Sequence, residues 1–179
     1  ITNTGYSQTL TIPANTVDAT ILIPKTGPND ARTLTDGLQN RGIHIQSDVP
    51  AAVYAHVYST QVSGATMLMP VETYGYLYHS INYYQTNHVN PNSNPQDWYS
   101  WVYAIASEDN TVVSFNGIPV ATLNAGQIYP AAFTSNPVIL TTPTSITADK
   151  PICVAQYAQA RDCSGSNNGD PDMVILNPI

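Results

Sequence analysis

Three carboxylates and two carboxamides crowd one eleven-residue stretch: Asp162, Asn167, Asn168, Asp170 and Asp172, interleaved with serines and glycines. Calcium takes about six to eight hard oxygen ligands from carboxylates, amide carbonyls and backbone. Asp162, Asp170 and Asp172 could serve such an ion. Their spacing does not follow the helix–loop–helix calcium pattern, and a plain polar turn loop explains the same composition. No other cofactor is expected. The four histidines, His44, His56, His79 and His88, are scattered, with no two at metal-ligand spacing. The chain lacks a Gly-x-Ser-x-Gly elbow, a phosphate loop and a His-Glu-x-x-His helix. Glycoside hydrolysis needs two carboxylates facing one bond. Glu72 and Glu108 are the only glutamates, and Glu108-Asp109 stands where carboxylates cap a turn. The chain is therefore expected not to be an enzyme.

The aromatic residues point toward contact. Twelve Tyr stand against two Phe, and a phenol suits a surface that is wet at one edge. Tyr83, Tyr84, Trp98, Tyr99 and Trp101 are candidate contacts for a glycan or a protein partner. Packing of the same rings across a sheet is the other possibility. Cys153 and Cys163 are the only cysteines, with nine residues between them. Such a pair fits a structural disulfide made in an oxidising compartment, worth about 3 kcal/mol in the chain-entropy model. Two unrelated buried thiols would leave the same trace. Zinc is not expected, because a second cysteine pair and a nearby histidine are missing.

The elements that must position these residues are strands. Charged residues make up 9% of 179 residues, against about 25% in ordinary soluble domains. Twenty Thr and sixteen Asn supply the polar surface instead, and fourteen Pro with ten Gly interrupt long helices. A net charge of −7, with two Lys and three Arg, excludes the basic footprint of nucleic-acid binding. It equally excludes an anchor to anionic lipid. No apolar run approaches the ~18 residues of a membrane-spanning helix, so membrane insertion is not expected. No signal peptide is visible, and a polar, Thr-rich start at Ile1 reads as a processed form or a fragment.

Alternation and turn residues predict strands at residues 7–12, 19–23, 42–47 and 51–58, the last central in a sheet because both faces are bulky. Further strands are expected at 65–69, 76–84, 98–106, 127–129, 138–140, 145–147, 152–159 and 173–176. Polar loops are expected at 26–40, 85–96 and 161–172, with short helical turns near 32–38 and 71–75. The clearest local signal is a hairpin, in which residues 111–115 and 118–123 flank Asn116-Gly117, a strong type I′ turn. Residues 148–151 are expected to turn. An internal repeat aligns Asp48-Val49-Pro50 with Asp149-Lys150-Pro151 at an offset of 101 residues. The expected fold is all-β, with two tandem, closely packed antiparallel β-sandwich-like units, residues 1–90 and 91–179, in one module.

Six segments carry a family resemblance: GIHIQSDVPAAVYAH (42–56), GATMLMP (64–70), YHSINY (78–83), ASEDNTV (106–112), VAQY (154–157) and GDPDMVILNP (169–178). In this order they resemble the N-terminal domain family of the IgG-Fc-binding protein. Within it they look most like the large type IX-secreted surface adhesins of gliding, Bacteroidetes-like bacteria. The resemblance covers residues 7–179. It implies an extracellular, non-enzymatic structural or adhesion domain, a cell-surface adhesin or filament subunit; IgG binding itself is not carried over. The expected partners are other copies, neighbouring domains of a larger surface protein, or glycans and matrix glycoproteins. A carbohydrate-binding module of a secreted protein is the alternative. The low content of Lys and other charges leaves strand edges unguarded. Residues 7–12 and 173–176 are thus expected at edges that either pair between copies into an open filament or are covered by neighbouring domains of a longer chain.

Overall fold

A computed structural model of the chain describes residues 1–2, 4–33, 37–59, 62–80, 101–130, 144–158 and 172–179. Nine antiparallel strands are described: β1 (Tyr54–Ser59), β2 (Val62–Met67), β3 (Gly75–His79), β4 (Trp101–Ala106), β5 (Thr111–Phe115), β6 (Ile118–Leu123), β7 (Ile128–Pro130), β8 (Ser145–Ala158) and β9 (Asp172–Ile175). Gly27–Asn29 and Val71–Thr73 form single 3-10 turns. No helix among the described residues is long and apolar enough to cross a membrane.

The long strand β8 organises the sheet. Its first half pairs with β5, and its second half pairs with β4 on the same edge. β3 and β9 share the opposite edge. β6 then extends β5, and β7 extends β4. Because β6 also approaches β7, the seven-stranded sheet is nearly closed on itself. β3 lies in the first half of the chain yet is built into the sheet of the second half, so the ladder crosses residue 90.

The expected turn at 148–151 is a bend inside β8 rather than the end of a strand. The ladder to β5 stops at Ala148 and the ladder to β4 starts at Ile152. Pro151 has no N–H to give, and it falls at this changeover, where neither neighbour requires one. The Asp149 carboxylate accepts the Val112 N–H at 2.7 Å, and Ser107 donates to the Pro151 carbonyl at 3.2 Å. The other copy of the aligned motif, Asp48-Val49-Pro50, is an exposed bend outside any strand.

The Asn116-Gly117 hairpin forms as expected, with φ of 49° and 79° at its two central residues, the left-handed pair of a type I′ turn. Along β5, Thr111, Val113 and Phe115 point inward. They meet Val102, Ala104 and Ala106 of β4, Leu123 of β6, Tyr78 of β3 and Ile146, Ile152 and Val154 of β8. The three small residues on β4 let the sheet close tightly over this core.

The expected strands at 7–12, 19–23 and 42–47 do not form. Short side-chain bonds occupy the backbone between and within the first two of these: Thr16 donates to the Pro13 carbonyl at 2.6 Å, and Asp18 accepts the Thr20 N–H at 2.8 Å. Such local bonds compete with ladders. Gly42 is held between Thr2 and Gly126 by backbone bonds of 2.9 and 3.0 Å. A Cβ there would stand 2.4 Å from the Gly126 oxygen, so only glycine allows that approach. The strand expected to be central, at 51–58, is also corrected. Among the described residues β1 pairs only with β2, in a two-stranded ribbon.

Candidate functional site

Strand alternation places Tyr54, His56 and Tyr58 on one face of the β1–β2 ribbon, opposite Met67, Ala65 and Ser63. No described residue covers that face: Tyr54 is 65% and Tyr58 68% exposed. His56 Nε2 and Ser63 Oγ lie 2.8 Å apart, and the imidazole leans on the Tyr58 ring at a centroid distance of 5.7 Å. These two contacts hold the ring orientation while leaving the aromatic surface open. The other face carries the smaller Ala55, Val57, Gly64 and Thr66. Thr66 Oγ1 accepts the Ile175 N–H at 3.4 Å, which seats the ribbon beside β9. The result is a row of rings with polar tips, a surface able to stack and to hydrogen-bond at once.

The residues singled out from sequence are placed differently. Tyr83, Tyr84, Trp98 and Tyr99 lie outside the described residues, and Trp101 opens β4 opposite Tyr157. Asp162, Asp170 and Cys163 also lie outside them. Asp172 is exposed at the start of β9, where its carboxylate accepts the Met173 N–H at 2.8 Å. Cys153 is a buried thiol on β8 with no disulfide partner among the described residues; its expected partner, Cys163, lies outside them. Burial pushes that thiol up to about 11, opposed by a hydrogen bond from Tyr74. Sequence reasoning missed the Tyr54–Tyr58 row. The available signal was asymmetry: large residues at 54, 56 and 58 alternate with small Ala55 and the partner Gly64, so only one face packs closely.

A second polar cluster ties down the segment before residue 42. Arg32 donates from Nε and from its terminal nitrogen to the Asp30 carboxylate, the latter at 2.7 Å, and Arg41 donates to the Asp30 carbonyl. Beside it opens a shallow cavity of about 320 Å³ lined by Thr4, Pro28, Leu38, Gln39, Asn40 and Arg41. Hydrogen bonds from Arg32 hold the Asp30 carboxyl down at about 2. A lowered carboxylate stabilises the fold above its unfolded value of about 3.9, and that contribution disappears as pH falls through the folded value. Acid titration followed by NMR is thus expected to show Asp30 ionised at pH 3, with its segment loosening only near pH 2. Titration of Asp30 at an ordinary carboxylate pH would overturn the pairing.

The described strands define an antiparallel all-β module with an exposed aromatic row. A family model described as IgGFc binding protein matches residues 30–179, and the chain belongs to that family. The family is one of extracellular binding domains. No curated protein and no solved structure matches the chain. Residues 1–29 lie outside the family match.

Proposed function

We propose that the module is a non-enzymatic surface domain, an adhesin or filament subunit, that engages protein partners through the Tyr54, His56 and Tyr58 face. The observation that carries this is the open ring face of the ribbon. Exposed Tyr is among the residues most enriched where proteins meet. The partners are other copies of the chain or neighbouring domains of a larger surface protein. Nothing in that face is particular to IgG, so Fc enters as a probe. The flat phenol faces also favour a second function, recognition of a glycan ring, as in a carbohydrate-binding module.

The test compares the full chain with a Tyr54→Ala/Tyr58→Ala double variant on three probes: immobilised copies of the chain, purified IgG Fc and a glycan array. The rings are exposed, so the variant is expected to keep its melting temperature while at least one probe loses binding tenfold or more. Loss confined to the glycan array assigns the carbohydrate function. Unchanged binding to every probe would remove this face from function.

A further inference from the structure

Residues 7–12, Ser-Gln-Thr-Leu-Thr-Ile, set Leu10 and Ile12 at the two-residue spacing of a strand face, yet among the described residues they sit in no ladder of their own copy. Leu10 and Ile12 are largely exposed. The segment also precedes the family match, which starts at residue 30. A sheet-forming segment that pairs with no described strand of its own copy is a candidate to add to another edge.

Among the described residues, nearly every edge of this fold is already closed. β7 is covered by Gln39, which exchanges both backbone bonds with Ile128 at 2.9 Å. β3 is capped by the Ile179 N–H on the Leu77 carbonyl at 3.0 Å. Residues 173–176, expected at a pairing edge, pair with β8 through β9, which also lies against β2, the Ile175 N–H donating to Thr66 Oγ1 at 3.4 Å. β6 carries Pro119, which blunts it. Among the described residues, β1 has an outer edge with neither a proline nor a covering segment.

β1, Tyr-Ala-His-Val-Tyr-Ser, is six residues long, the length of residues 7–12. Neither segment contains Asp, Glu, Lys or Arg. In a chain of net charge −7, copies repel each other, and two uncharged strands are where they can approach without like charges in opposition. A two-stranded ribbon is marginal by itself and gains most from a third strand.

We propose that residues 7–12 of one copy add as a third strand to the outer edge of β1 in a second copy. Each copy then donates at one place and accepts at another, a heterologous contact that propagates into an open filament. The added strand would lie beside the Tyr54, His56 and Tyr58 row, widening the face assigned above. This rests on the proposal that copies of the chain associate.

Sedimentation velocity across a concentration series tests it, using the full chain, a Thr9→Pro/Leu10→Pro variant and a Val57→Lys variant. The prolines remove two consecutive N–H groups from a segment outside every ladder, so folding is untouched. The melting temperature of the Val57→Lys variant checks that β1 still forms. The full chain is expected to associate progressively, and both variants to need at least tenfold higher concentration. A synthetic peptide of residues 5–14 is expected to dissolve the assemblies, and the same peptide with both prolines to leave them intact. Unchanged assembly in the double-proline variant overturns the donor while leaving self-association standing. Loss in that variant but not in Val57→Lys, with both folded, overturns β1 as the acceptor. A full chain that stays monomeric throughout overturns both the strand exchange and self-association.

Discussion

Ile152→Ala is expected to lower the unfolding free energy by about 2–5 kcal/mol, the usual cost of a large-to-small change in a close-packed core. Ile152 is fully buried and occupies the residue at which β8 is gripped from both edges, by Gly75 of β3 and Ala106 of β4. It is also where the ladder restarts after Pro151. Truncation there opens a cavity at the seam of the sheet, and relaxation is opposed by two ladders that hold the backbone in place. Val174→Ala, at a side chain 48% exposed on β9, is expected to change stability by no more than about 0.5 kcal/mol. Urea denaturation of the two variants measures the contrast. Equal losses in both would mean that β8 is not the spine of the core.

The second large effect is expected from Tyr78→Phe, at about 1–3 kcal/mol, although only one oxygen is removed. Tyr78 is 1% exposed, and its hydroxyl both donates to the Ile152 carbonyl at 2.5 Å and accepts the Gly75 N–H at 2.9 Å. That hydroxyl fills the gap where the β3–β8 register shifts between Gly75 and Leu77. Phe preserves the ring packing and strands two buried backbone groups without partners. Amide hydrogen exchange should show the Gly75 N–H losing protection while the β5–β6 hairpin keeps its own. A neutral result would mean that water replaces the hydroxyl and that the bulge needs no side-chain support.

Legibility in the sequence followed the range of the interaction. The β5–β6 hairpin was readable because Asn116-Gly117 and its flanking alternation act within thirteen residues, and the structure shows the turn so specified. β4 and β9 were also legible as apolar runs between turn residues. The segment 7–12 also carries strand-like spacing at Leu10 and Ile12 and pairs with no described strand, because alternation states a capacity for a ladder and says nothing of a partner. Residues 148–151 looked like a turn because Ala-Asp-Lys-Pro usually is one. Only the arrival of β5 on one side and β4 on the other turns that stretch into a bend within a strand.

The candidate site divides the same way. The excess of Tyr over Phe pointed to wet aromatic surfaces, and low charge pointed to unguarded edges. Tyr54, His56 and Tyr58 became an open row because β1 pairs with β2 in a ribbon at the margin of the sheet, instead of at its centre. By itself, then, the sequence determined the all-antiparallel β class and the hairpin. Those depend on composition, dihedral preference and contacts near in the chain. Tertiary structure alone decided that β8 serves two half-sheets, that β3 joins them from across residue 90, and which rings face solvent. Each of these depends on backbone bonds between residues tens of positions apart, and a ladder constrains both partners without either one encoding the other.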